Sequence, residues 1–187
     1  KNLAKLFNIK NYNRIILNSG STESLNTIIF GLDLNGCHVI TTATEHNSVL
    51  RPLFHLKEKN IIELTIIPCD ENGYVYAKDI ESAIKENTKL IIVNHVSNVT
   101  GSVQNIKEIS TIAHKNNILI CIDASQSAGS EEINVEDDEI DILVFTGHKS
   151  LFGLQGIGGF YLKEFIELHP LKVGGTGIKS NILTQPK

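Results

Sequence analysis

The chain has 187 residues, 41% of them hydrophobic and 20% charged, an ordinary globular composition with enough material for one domain with its own core. A formal net charge of −4 and an isoelectric point near 6.0 point away from nucleic acid and anionic membrane surfaces, and no apolar run approaches the roughly 18 residues of a membrane span. Cys37, Cys69 and Cys121 are odd in number, form no CxxC pair and lie in or beside apolar runs. They read as buried free thiols in a reducing, cytoplasmic compartment rather than as a disulfide framework or a zinc site.

The first residues, Lys1 to Phe7, have helical character. Arg14 to Asn18 reads as a strand, and Ser21 to Phe30 as a helix with Leu25, Ile28 and Ile29 on its apolar side. Strands are expected at Cys37 to Thr41, Ile61 to Ile67, Lys89 to Asn94, Ile118 to Ile122, Asp141 to Phe145 and Phe160 to Leu162. Helices are expected at Ser48 to Lys59, Asp79 to Glu86 and Asn105 to Lys115, the last with Ile106, Ile109, Ile112 and Ala113 on one face. Strands alternating with amphipathic helices imply an α/β fold with a mostly parallel sheet covered on both faces. The acidic stretch from Glu131 to Asp141 reads as a solvated connection. With no methionine anywhere, a mid-helix beginning and no closing element at Gln185-Pro186-Lys187, the sequence is expected to be an internal piece of a longer protein.

The residues with chemical potential fall just after strands, where ligands bind in α/β sheets. Ser21 and Thr22 sit at a helix start, where unpaired N–H groups, the helix dipole and two hydroxyls make either a phosphate site or a plain cap. No GxxxxGK[ST] or GxGxxG pattern is present. His46, in Thr44-Glu45-His46-Asn47, is a base, a ligand or a flat stacking surface, with Glu45 placed to fix its tautomer. Asn98, leaving the Lys89 to Asn94 strand, offers its amide to an oxyanion or serves a turn. Asp123 ends an apolar strand, where a carboxylate is costly without a cationic partner; Gln126 adds an amide nearby. No cluster with metal-ligand spacing accompanies it. Thr146-Gly147-His148-Lys149-Ser150 leaves the Asp141 to Phe145 strand, and its lysine is either a nucleophile toward carbonyls, if held away from bulk water, or a surface lysine beside a Gly-rich turn.

Taken in order, Gly20-Ser21-Thr22-Glu23, Glu45-His46, Asn98-Val99-Thr100-Gly101, Asp123-Ala124-Ser125-Gln126 and Gly147-His148-Lys149 resemble the class V aminotransferase group of fold-type I pyridoxal 5′-phosphate enzymes, most of all cysteine desulfurases and selenocysteine lyases. The resemblance spans most of the chain. It implies a three-layer α/β/α large domain of a PLP-dependent transferase, with the strand near Gly159 to Leu162 antiparallel. It implies that Lys149 forms the Schiff base with the cofactor aldehyde, that Asp123 pairs with the ring nitrogen and that His46 stacks on the ring. Gln126 and Asn98 would contact the ring's phenolic oxygen, and Ser21, Thr22, Thr146 and His148 the phosphate. Gly174-Gly175-Thr176-Gly177 resembles a loop that reaches the partner subunit's phosphate, implying a homodimer with Thr176 donating across the interface; a simple hinge is the alternative.

The implied reaction is that of a cysteine desulfurase, taking an amino acid, L-cysteine, releasing alanine and passing sulfur to an acceptor protein. Another aminotransferase or lyase on the same scaffold and a phosphate- or nucleotide-binding α/β module without enzymatic activity are the alternatives. The mobile-loop cysteine and the carboxylate-binding arginine of desulfurases have no counterpart here, since Arg14 and Arg51 are the only arginines and match neither in place. Residues 1–170 are therefore expected to be the PLP-binding large domain, incomplete at its N-terminus, and 171–187 to lead toward a C-terminal small domain. This piece alone is expected to be inactive.

Overall fold

The computed structural model describes residues 1–175. Five parallel strands form the middle and one side of a single sheet: β2 (Cys37–Thr42), β3 (Ile62–Ile67), β4 (Thr88–Asn94), β5 (Leu119–Asp123) and β6 (Ile142–Thr146). The strand β7 (Gly158–Leu162) runs antiparallel to β6, and β1 (Ile15–Asn18) antiparallel to β7. The order across the sheet is β1-β7-β6-β5-β4-β2-β3. β1 and the five parallel strands therefore point the same way, and their C-terminal ends share one edge. The antiparallel β7 is as the family resemblance implied.

Strands buried on both faces need apolar residues at every position. On β4, Leu90 and Ile92 belong to one core, with α2 (Ser21–Gly31) and α3 (Asn47–Glu58) supplying Leu25, Ile28, Val49 and Leu53. Ile91 and Val93 belong to the other, with α1 (Asn2–Leu6), α4 (Ala77–Ser82) and α5 (Ile106–Lys115) supplying Ala4, Ile80, Ile106 and Ile109. The result is the expected three-layer α/β/α arrangement. Among the described residues, no helix is long and apolar enough to cross a membrane.

Three expectations need correction. The fourth helix spans Ala77–Ser82, not Asp79 to Glu86: the Thr88 hydroxyl takes the Lys85 N–H at 2.7 Å, and the chain turns out of helix into β4. The acidic stretch is not simply solvated, because Ile133, Val135 and Ile140 enter the core and Asp141 is buried. Of the three thiols, all free, only Cys121 is buried; Cys37 is half-buried and Cys69 exposed.

Candidate active site

Five strand ends deliver polar side chains to one edge of the sheet. Ser21, His46, Asn98, Asp123, Gln126 and Lys149, all singled out in the sequence, line one cleft there. Ser48, Asn94, Val96 and Ser125 complete its wall. Thr22 lies on an adjoining cleft that shares His46 and Ser48 and also presents Arg51. Thr146 is buried at the end of β6, with its hydroxyl 3.0 Å from Nδ1 of the exposed His148. A Cβ built on Gly20 would lie 3.8 Å from Thr146 Oγ1, so this hydroxyl sits against the start of α2. Thr176 lies outside the described residues.

The start of α2 suits an anion. Its N-cap is Gly20 at φ 147°, a conformation open to glycine, and no side chain caps the helix. The N–H groups of the first turn are thus left for a ligand, beside the Ser21 and Thr22 hydroxyls, with the helix dipole adding positive potential. Asn18 braces the turn, accepting from Gly20 N–H at 3.0 Å and donating to Ser24 Oγ at 2.9 Å.

Asp123 ends β5 and is 4% exposed. Both hydrogen bonds to it fall on Oδ1, from the Ser125 N–H at 2.9 Å and from the Ser125 hydroxyl. Burial raises this carboxyl above its ordinary range, against the opposing pull of the Ser125 hydrogen bonds and of the nearby Lys149 and His46. A buried acid that lines a cleft opposite a lysine, without a bonded cation, fits a protonated ring nitrogen. That fit, with the open helix start for a phosphate, matches the donor set that pyridoxal 5′-phosphate requires.

His46 caps α3. Its Nδ1 accepts from the Ser48 N–H at 3.1 Å and lies 2.8 Å from Ser48 Oγ. Accepting at Nδ1 places the proton of the neutral ring on Nε2. This corrects the sequence expectation: Ser48 fixes the tautomer, while Glu45 turns into the interior. Gln126 is half-buried and Asn98 exposed, both lining the cleft. Sequence reasoning passed over Ser125 and Ser48, although both stand two residues from a singled-out group, the spacing of side-chain-to-backbone turns. Arg14 is structural: its guanidinium donates to the carbonyls of Leu162, Lys163 and Ile166 at 2.8–3.0 Å. Among the described residues, no group of three or more His, Cys, Asp or Glu side chains is placed to hold a metal.

Comparison with known proteins gives a consistent result. A family model for class V aminotransferases matches residues 1–186. A cysteine desulfurase IscS of Dictyoglomus turgidum is 36% identical over 178 residues, covering 93% of this chain and 44% of that protein. A cysteine desulfurase IscS of Plasmodium falciparum is 37% identical over 195 residues, covering 97% of this chain and 35% of that protein. The chain thus spans less than half the length of either relative. Among solved structures, SspA in complex with cysteine superposes with a TM-score of 0.87 at 35% identity, over 92% of this chain and 51% of that one. The apo cysteine desulfurase of Thermococcus onnurineus NA1 superposes with a TM-score of 0.86 at 34% identity, over 92% of this chain and 44% of that one.

Proposed function

The chain belongs to the class V aminotransferase family, and we propose that the protein is a PLP-dependent cysteine desulfurase that takes sulfur from L-cysteine, releases alanine and hands the sulfur to an acceptor protein. The observation that carries the reading is the meeting of Lys149, Asp123 and His46 with the uncapped start of α2 around one cleft. The two relatives named above are cysteine desulfurases, and one solved neighbour is in complex with cysteine.

When bound, pyridoxal 5′-phosphate supplies a carbonyl carbon that bonds amines and a ring that draws electrons from them. Lys149 Nζ would be the amine that holds it, and the same amine is placed to move a proton in the cleft. The Asp123 carboxylate holds the proton on the ring nitrogen. His46 would pack against the ring, exclude water from it and carry a proton at Nε2. The Gln126 and Asn98 amides donate to the phenolic oxygen. Ser21, Thr22, the first-turn N–H groups of α2, Thr146 and His148 would bind the phosphate, and the protein acts as a homodimer. In this reading residues 1–170 are the cofactor-holding domain and 171–187 lead on from it, with the three free thiols suiting a cytoplasmic protein.

The test is an absorbance spectrum of the full-length protein with added pyridoxal 5′-phosphate, followed by borohydride reduction and peptide mapping. The expected result is a visible band lost on reduction, the label on Lys149, and no label in Lys149→Ala. A label on any other lysine, or no band with excess cofactor, overturns the reading. Alanine formation from cysteine then separates a desulfurase from another lyase.

A further inference from the structure

Below the cleft lies a buried carboxyl to which the roles above assign nothing. Glu45 is 7% exposed. Its Oε1 is 2.7 Å from Thr42 Oγ1 and accepts the Asn94 backbone N–H at 2.8 Å, while Oε2 is buried with no hydrogen-bond partner among the described residues. The contacts continue: Thr42 Oγ1 is 2.8 Å from Thr44 Oγ1, and Thr44 Oγ1 is 2.8 Å from Asn94 Oδ1. The Asn94 amide cannot be turned over, because its Nδ2 donates to the Thr44 carbonyl at 2.8 Å.

These distances allow a proton count. Glu45 Oε1, Thr42 Oγ1, Thr44 Oγ1 and Asn94 Oδ1 make three successive oxygen–oxygen contacts, each at hydrogen-bond length. Each contact needs one proton. The two threonine hydroxyls supply two, and Asn94 Oδ1 has none. The third belongs to Glu45. With it, Glu45 Oε1 donates to Thr42, Thr42 to Thr44, and Thr44 to Asn94, so every contact is a hydrogen bond. Without it, one contact sets two lone pairs face to face, and a carboxylate charge shared by two oxygens is buried with donors at only one of them.

We propose that Glu45 is a positioning residue held as the neutral acid, bracing the turn that carries His46 against the end of β4 and leaving Asp123 as the single carboxylate charge at the cleft floor. Asn94 stands in register with Asp123, so the brace reaches directly to the neighbouring strand. The role assigned to Asp123 rests on the functional reading above; the proton on Glu45 does not. Burial pushes this carboxyl up to about 8, with the nearby Asp123 acting in the same direction. The other titratable groups around it are Cys121 on β5, whose thiol burial drives well up, His46 next in the chain and, beyond Asp123, Lys149.

The sign follows from linkage. Above its ordinary value of 4.5 the unfolded carboxyl has lost its proton, while the folded one keeps it up to about 8. Folding then binds a proton, and stability falls as pH rises through that window. The experiment is equilibrium unfolding of the full chain without cofactor, wild type against Glu45→Gln, from pH 5 to 8. The expected result is a ratio of wild-type to variant folding constants that falls about tenfold per pH unit across the middle of the range. A ratio that stays flat overturns the proposal. Should the variant fail to fold, ¹³C-glutamate NMR of the wild type decides: one side-chain carboxyl still in the acid form at pH 7 supports it, and every glutamate ionised overturns it. Neither measurement involves the cofactor, so a failure to bind pyridoxal 5′-phosphate overturns the functional reading alone.

Discussion

Gly158→Ala tests how the sheet holds the anion site. Gly158 opens β7, and a Cβ there would lie 2.6 Å from Gly20 Cα and 2.8 Å from the Phe145 carbonyl oxygen. Ordinary contact begins at 3.4 Å, so the gap falls about 0.8 Å short, and both neighbours are backbone. Neither can rotate away; the start of α2 must shift or β7 must slide on β6. Overpacking of this kind costs about 1–3 kcal/mol, which lowers the melting temperature by roughly 3–10 °C in a chain of this size. Gly20 is the open cap of α2, so the shift falls on the N–H groups assigned to the phosphate. Gly36→Ala is the control: at φ 72°, with nothing within 4 Å, it carries left-handed strain of about 1–2 kcal/mol just before β2, at the far edge of the sheet. Thermal melting and a pyridoxal 5′-phosphate titration read the two variants. Both should melt lower, and only Gly158→Ala should bind the cofactor more weakly. Equal cofactor affinity in the two variants, or wild-type melting of Gly158→Ala, refutes the reasoning.

Ser125→Ala removes the hydroxyl that donates to Asp123 Oδ1; cofactor affinity should fall about tenfold, the worth of one hydrogen bond to a charged group, measured by the same titration. Asp141→Ala strands the Lys163 amine, the His114 ring and the Ile120 N–H, each 3.0–3.1 Å from that carboxylate. The loss should be about 2–4 kcal/mol of stability by urea unfolding, with the cofactor spectrum unchanged.

The fold was legible wherever one physical requirement dominated. Ile142–Thr146 is buried at every residue, and its continuous apolar run said so. The Ile133, Val135 and Ile140 spacing inside the acidic stretch was an equally plain signal for core, outweighed on first reading by the charges around it. The end of α4 was not legible, because Thr88, whose hydroxyl takes the Lys85 N–H beyond the helix end, stands in the next strand. The direction of β7 came from family resemblance; no periodicity encodes it. In the site, Ser21, His46, Asn98, Asp123, Gln126 and Lys149, which line the cleft, were legible from their places after strands, whereas the residues that hold them were not. Ser48 and Ser125 act through local turns whose geometry exists only once the strand ends are set. Glu45 looked like the partner of His46 because the two are adjacent in sequence. The turn after β2 instead points them apart, His46 into the cleft and Glu45 toward the Thr42 hydroxyl and the Asn94 N–H.

The two edges of the sheet treat buried acids in opposite ways, and the contrast separates stability from function. At the edge where β5 and β6 begin, Asp141 is 1% exposed and engaged at both oxygens, by Lys163 at Oδ1 and by His114 and the Ile120 N–H at Oδ2. All its partners are internal, so nothing remains for a ligand, and that acid ties β5, β6 and α5 together. At the edge where the same strands end, Asp123 has hydrogen bonds on one oxygen only, and Glu45 has an oxygen with none. Burying acids without matching cations is unfavourable, so the second edge carries a deficit of positive charge that folding alone does not relieve. A proton relieves it at Glu45, and a cationic ring nitrogen would relieve it at Asp123. The deficit therefore favours a protonated heterocycle over a neutral one, which is the electronic state that amine chemistry on pyridoxal 5′-phosphate requires.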